Sequence, residues 1–325
     1  MINLAIVGYG NVGRGVRSAI KNNPDMKLAA TFSRRPDAVK KELGAVPVFK
    51  IDKDAKLPYV PIDVAILCGG SKEDVPVQGP HFARWYNTVD SFDTHANIPD
   101  YFRQMDAIAR EWNHVAVISA GWDPGIFSLE RVLADAFLPG SKNYTFWGTG
   151  VSQGHSDAAR TVKGVIDARS YTHPIDSALQ QVRSGNTPSF TKRQMHQRVV
   201  YVVAKENADK EGIRQAIITM PNYFSDYDTE VNFITKEQMD KEHAAYPHGG
   251  FVMTSGQTGQ KNPQLLEYRC QLTSNPGFTG SVLVACARAA YQIKLAGQKG
   301  AYTMLDIPPA LYSPHSPEIL RGQYT

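Results

Sequence analysis

The 325-residue chain predicts a doubly wound parallel α/β sheet followed by a second domain of α+β type. Three observations carry that prediction. Apolar runs of strand length alternate with helix-like segments through the first third, a glycine-rich turn follows the first run, and the alternation changes character after Gly121. A chain of this length accommodates two domains of roughly 100–200 residues each, with a sizeable core in both.

The runs of the first third are NLAIVG (3–8), KLAATF (27–32), DVAILC (63–68), NTVDSF (87–92) and HVAVIS (114–119). Being apolar on both faces, they suit a parallel sheet covered by helices on either side. Those helices fall at 12–21, 75–85 and 99–112. Next, 125–137 places Ile126, Leu129, Val132, Leu133 and Phe137 at helical spacing. YTFWGT (144–149), RVVYVVA (198–204), TEVNFI (229–234), GFVMTS (250–255) and LLEYRCQL (265–272) read as strands of one open α+β sheet. Residues 276–298 read as a long helix with Pro276 at its start and Gly297 near its end. The expected organisation is a dinucleotide-binding domain at 1–120, a substrate and dimerisation domain at 121–275, and a segment 276–325 that packs back on the first domain.

Composition narrows the function. The 35 basic and 31 acidic residues are scattered rather than gathered into a stripe, which argues against nucleic acid. Cys68, Cys270 and Cys286 are far apart, with no C-x-x-C pair, and are expected to be reduced, buried thiols. His155, His173, His196, His243 and His248 lack the H-x-x-x-H spacing of a helical zinc site, so no metal is expected. The apolar stretch 278–290 is interrupted by Arg288 and is too short to span a bilayer. Met1 leads straight into an apolar run without the flank and cleavage site of a signal peptide, so a cytoplasmic location is expected.

Gly8, Gly10 and Gly13 have the G-x-G-x-x-G spacing between a strand and a helix. Gly8 permits the tight turn, Gly10 lets a pyrophosphate approach the backbone, and Gly13 allows close helix packing; Asn11 and Val12 then belong to the helix N-terminus that faces the anion. These are the marks of a Rossmann-type dinucleotide site. An NAD-specific site carries an acid at the end of the second strand, about 20 residues on. Ser33, Arg34 and Arg35 stand there instead. A hydroxyl can donate to a phosphate and a guanidinium can hold one by paired hydrogen bonds, so the expected cofactor is NADP. Solvated loop arginines are the competing account. Cys68, Gly69, Gly70 and Ser71 end the next strong strand and border the cofactor edge, as do Ser91, Phe92, Gly121 and Pro124 further along.

Two later strand ends offer carboxylates, Asp90 and Asp93 in VDSFD and Asp123 beside Trp122 in GWDPG, which suits an ammonium-bearing substrate. Capping of the helix after Pro124 is an equal account of Asp123. In the second domain Gln153, Thr172, Arg198, His248 and Asn275 sit at predicted strand ends or turns, where they can converge on a carboxylate.

Across essentially its whole length the sequence resembles the meso-diaminopimelate dehydrogenase family, in the blocks IVGYGNVGRG, FSRR, TVDSFDTH, GWDPGIFS, TFWGTGVSQGHSDA, MPNYF, EVNFI, PHGG, SNPGFT and RAA at 288–290. The resemblance implies an NADP-dependent oxidoreductase of lysine and cell-wall precursor synthesis, acting as a homodimer. It implies reversible oxidation at the D-configured α-carbon of meso-diaminopimelate, with an imine that water converts to ketone and ammonia. The family's pattern matches Asp93 and Asp123 to the D-centre, Trp122 and Trp147 to the pocket walls, and Gln153 and Gly154 to further substrate contacts. The distant L-end matches Thr172, Arg198, His248 and Asn275.

The chemistry requires a neutral amine before hydride leaves and an activated water afterwards. Asp93 and Asp123 are the candidate bases if burial raises their pKa, and a bound water chain is the alternative. Rival readings are a broader D-amino acid dehydrogenase, another two-domain NADP oxidoreductase, and a non-catalytic NADP sensor.

Overall fold

A computed structural model describes residues 1–51, 60–260 and 262–325. The chain forms two compact units, Met1–Leu129 with Pro276–Thr325, and Glu130–Asn275.

The first unit is built on β1 (Ile2–Val7), β2 (Met26–Ser33), β3 (Val48–Lys50), β4 (Val64–Leu67), β5 (Asn87–Asp90) and β6 (Val115–Val117). The last strand of the chain, β14 (Gly300–Tyr302), completes a sheet of order β14-β6-β5-β4-β1-β2-β3, parallel at every pairing. Strand order reverses at β1, where the connections leading from β1 and from β4 diverge to opposite faces and open a crevice at the carboxyl edge. Leu4, Ala5, Ile6 and Val7 in β1 and all of β4 are buried, as expected of a sheet covered on both sides.

Two of the predicted runs overshoot. NTVDSF stops pairing at Asp90 and HVAVIS at Val117, because the Asp90 side chain, rather than a ladder carbonyl, accepts the Phe92 and Ser119 N–H groups. The three-residue strands β3 and β14 are too short for periodicity to register.

The helix Asn275–Leu295 buries residues around nearly its whole circumference, from Val282 and Leu283 to Ala290 and Ile293, within the core under β1, β4 and β6. Its buried Arg288 pairs with Asp25 at 2.7 Å and donates to the Tyr312 carbonyl and Asn23 Oδ1, so the charge is neutralised and every guanidinium nitrogen donates a hydrogen bond. Ile126 and Leu129 pack on this same core, which carries the boundary between units past the expected 120 to Leu129.

The second unit holds β7 (Lys142–Trp147), β8 (Gly150–Ser152), β9 (Val165–Pro174), β10 (His196–Ala204), β11 (Asp228–Phe233), β12 (His248–Thr258) and β13 (Asn262–Leu272). One open sheet was expected; the strands form two, β11-β10-β9-β8 and β13-β12-β7. The chain changes sheets at Gly148, whose φ of +108° turns the backbone. Both sides of that turn stay tied to β12 and its approach, by Gly148 N–H to the Gly249 carbonyl and Val151 N–H to the Pro247 carbonyl. Val200, Val202, Ile213, Ile217, Phe224 and Val231 fill the core of the four-stranded sheet. Tyr144, Phe146, Leu179, Val182 and Met253 fill that of the three-stranded one.

Candidate active site

Gly8 follows β1 with φ +91°, a conformation that side-chain-bearing residues rarely adopt. A Cβ on Gly13 would lie 2.4 Å from the Gly8 carbonyl oxygen, whereas one on Gly10 would meet nothing within 4 Å. The helix Asn11–Lys21 is thus pressed against the turn while Gly10 leaves the backbone open to an anion, with Asn11 and Val12 in the first turn. Gly8, Gly10, Ser33, Arg34, Arg35, Cys68, Gly69 and Gly70 line one cleft open to solvent. That geometry fits a dinucleotide.

Ser33 is buried at the end of β2, and its Oγ accepts the Arg35 N–H at 3.0 Å, which leaves its own proton to donate. Arg34 and Arg35 are exposed. No acid was expected beside them, yet Asp74, in the turn after β4, ion-pairs with Arg34 at 3.3 Å and accepts the Gly70 N–H at 2.9 Å. The Arg34 side chain is 73% exposed, and a pair so solvated contributes about 0–1 kcal/mol, too little to withhold the guanidinium from a phosphate. Forty residues of separation hide Asp74 from a sequence reading. The Cys68 thiol is buried, and desolvation raises its pKa.

At the ends of β5 and β6 the carboxylates divide. Asp90 is 0% exposed and accepts from Phe92 N–H, Ser119 N–H and Tyr101 Oη, which removes it from the set facing solvent. Desolvation raises its pKa to about 6 against those hydrogen bonds. Asp93 is exposed, with its N–H donated to Ser71 Oγ at 2.8 Å; Asp123 is half-buried. Of these three carboxylates Asp90 is the deeply buried one. Ser91 is half-buried, and Phe92 packs in the core against Tyr101 at 4.5 Å with its N–H committed, so its carbonyl is what it can offer a cofactor. Trp122 is buried edge-on to Phe127, between Gly121 and the half-buried Pro124.

In the second unit the antiparallel register sets Arg198 of β10 opposite Thr172 of β9, and Thr172 opposite Gly150 of β8. A Cβ on Gly150 would lie 2.3 Å from the His248 Cα, so glycine is what lets β12 close on this strand. Asn275 follows β13, its N–H donated to the Tyr246 carbonyl at 2.8 Å. Gln153 and Gly154 are exposed at the start of the helix that follows β8, and Gln153 donates to Asp157 at 3.1 Å. Trp147 ends β7, paired with Gly250.

Arg198 is only 5% exposed; it donates to the Thr172 hydroxyl, lies 4.3 Å over the Tyr227 ring, and among the described residues meets no carboxylate. Desolvation lowers its pKa and Tyr227 opposes the shift. Burying a guanidinium without its anion is costly, so the chemical complement of this pocket is an anion such as a carboxylate. Two neighbouring histidines stay neutral beside that charge. His196 Nε2 accepts the Trp147 N–H at 2.9 Å, and burial, then Arg198, pushes its pKa down to about 4. His155, among Tyr223, Phe224 and Tyr227 with Nδ1 on Ser152 Oγ, is pushed to about 3 by burial first and then Arg198, against a backbone hydrogen bond at Tyr223. Tyr227, His155 and His196 carried no signal in the sequence beyond their residue types.

Among the described residues, no group of three or more His, Cys, Asp or Glu is placed to hold a metal, and no helix is long and apolar enough to cross a membrane. Residues 121–274 match the model of the diaminopimelic acid dehydrogenase C-terminal domain. A meso-diaminopimelate D-dehydrogenase of Lysinibacillus sphaericus is 53% identical over 99% of this chain and 98% of its own length. The solved structure of the Corynebacterium glutamicum diaminopimelate dehydrogenase in complex with DAP superposes with a TM-score of 0.90 at 44% identity, covering 100% of this chain and 99% of that one. An engineered D-amino acid dehydrogenase bound to NADP+ gives 0.85 at 42% identity, covering 100% and 99%.

Proposed function

The chain belongs to the meso-diaminopimelate D-dehydrogenase family, and from that premise we propose how its own residues carry out NADP-dependent oxidative deamination of the D-centre of meso-diaminopimelate. The products are the 2-amino-6-oxo acid and ammonia, and the reaction is reversible. The observation that carries the reading is the buried Arg198 guanidinium without a carboxylate beside Thr172.

When bound, NADP supplies the hydride acceptor. Gly8, Gly10 and Gly13 with the helix N-terminus at Asn11 receive its pyrophosphate, and Ser33, Arg34 and Arg35 its adenosine phosphate. Asp93 and Asp123 hold the ammonium of the D-centre and take its proton, or pass it to water, before hydride leaves. Arg198, Thr172, His248 and Asn275 hold the far amino acid end, with Gln153, Gly154, Trp122 and Trp147 along the substrate. Anchoring the end that does not react fixes which α-carbon is oxidised.

The protein acts as a cytoplasmic homodimer in this reading. The free, buried cysteines suit a reducing compartment, and Val132, Leu133 and the 67%-exposed Phe137 form an apolar helix face that suits burial against a second copy. Sedimentation of the wild type and Phe137→Glu checks that point, with a dimer expected for the former and a monomer for the latter. Following NADPH formation with meso-diaminopimelate, D-alanine, D-lysine and a hydroxy acid tests the activity. Diaminopimelate is expected to be fastest; no turnover of it with good turnover of the hydroxy acid would contradict the reading.

A further inference from the structure

The carboxylate that does not face solvent at the β5 end occupies a particular place. Asp90 Oδ1 accepts the Phe92 N–H and the Ser119 N–H, each at 3.0 Å, and Oδ2 accepts the Tyr101 hydroxyl at 2.8 Å. The Asp90 carbonyl also accepts the Ala120 N–H at 2.8 Å. One residue thus holds the start of both loops that carry the candidate acids, three residues before Asp93 and within a few residues of Asp123. Ser119 has φ +53°, a left-handed conformation uncommon outside glycine, and its N–H is held by Asp90. The third ligand of the clamp is itself provided for. A Cβ on Gly79 would lie 2.2 Å from Tyr101 Oη, so the glycine in the helix Val75–Phe82 makes room for the hydroxyl to reach Asp90.

We infer that Asp90 is a positioning residue that, braced by Tyr101, sets the two loops so that Asp93 and Asp123 meet the reacting amine together. This rests on the reading of those two acids as the residues that receive the D-centre. A carboxylate suits the task because one oxygen can accept from two backbone N–H groups while the other takes a hydroxyl, with all three bonds in a dry site. Asparagine keeps the shared acceptor oxygen and turns its amide to Tyr101, whereas alanine releases both loops.

The test compares Asp90→Ala, Asp90→Asn and Tyr101→Phe by kcat/KM for meso-diaminopimelate and by the affinity of 2′,5′-ADP, a probe of the adenosine end alone. The Ala variant is expected to lose about 100-fold in kcat/KM, the Phe variant about 10-fold, and the Asn variant to stay within about 5-fold of wild type, while all bind 2′,5′-ADP within about 2-fold of wild type. In an Asp93→Asn, Asp123→Asn background, Asp90→Ala is expected to cost less than about 5-fold, because both acids it positions are already gone. Parallel loss of turnover and 2′,5′-ADP affinity without rescue by Asn would assign Asp90 a purely structural role and overturn the inference. So would unchanged kcat/KM in the Ala variant or, should that variant not fold, in the Phe variant. A wild-type protein that fails to oxidise diaminopimelate contradicts the underlying activity instead, before any variant is made.

Discussion

The cofactor edge of the first unit and the Arg198 pocket of the second offer donors to an anion by opposite means. At the cofactor edge the donors are backbone N–H groups at a helix N-terminus and two exposed arginines, one of them in a weak ion pair with Asp74. In the second unit the donor is one buried arginine fixed by Thr172 and Tyr227. Exposed arginines lose little by waiting in water and give affinity that salt screens. A buried one has already lost its hydration, so an anion of the right shape gains more there and a neutral group gains nothing. In the proposed reading the first arrangement serves the cofactor and the second serves discrimination between substrates.

Arg198→Met breaks the contrast most severely. It is expected to lower kcat/KM for meso-diaminopimelate by about 30-fold to several thousand-fold, the equivalent of about 2–5 kcal/mol, with KM for NADP unchanged. Steady-state kinetics with each substrate varied in turn reads both numbers. At the other edge, Arg34→Ala with Arg35→Ala is expected to shift the NADP over NAD preference by about 100-fold, and the shift should shrink as salt is raised. A salt-insensitive shift would mean that these arginines are less solvated in the complex than in the free protein.

Acid separates the units in a third way. His155 and His196 are pushed down to about 3 and about 4 in the fold, below the unfolded value near 6.5, so their stabilising contribution is complete above 6.5 and is lost progressively as pH falls from there through the folded values. Asp90 has the opposite sign: raised to about 6, it favours the fold below its unfolded value near 3.9 and loses that contribution as pH rises through 6. Between pH 7 and 5 the wild type is expected to lose thermal stability. Asp90→Asn should lose more over that interval, because the compensating gain is gone, and His196→Gln less; melting temperatures at the two pH values decide. The smallest effect is expected from Asp74→Asn, which frees Arg34 and removes a nearby negative charge, tightening NADP by a few-fold at low salt in a binding titration.

What was legible in the sequence was what is local in the chain. The glycine turn, the strands on either side and the pair Arg34–Arg35 lie within a few residues of the features that give them meaning. The second unit's site is assembled by register instead. Thr172 faces Arg198 across 26 positions only because β9 and β10 pair as they do, and His248 joins them only because Gly150 lets β12 approach. The split into two sheets at Gly148 and the arrival of Asp74 beside Arg34 are long-range facts of the same kind. Asp90 misled for a different reason: a carboxylate at a strand end looks the same in sequence whether it faces a substrate or closes the ends of two strands.

The most direct test of the buried guanidinium uses two substrates that differ in one group, since D-lysine is meso-diaminopimelate without its far carboxylate. The ratio of kcat/KM for the two should fall by about 100-fold in Arg198→Met, with the D-lysine value unchanged. An equal loss on both substrates, or none on either, would contradict the assignment of Arg198 to that carboxylate.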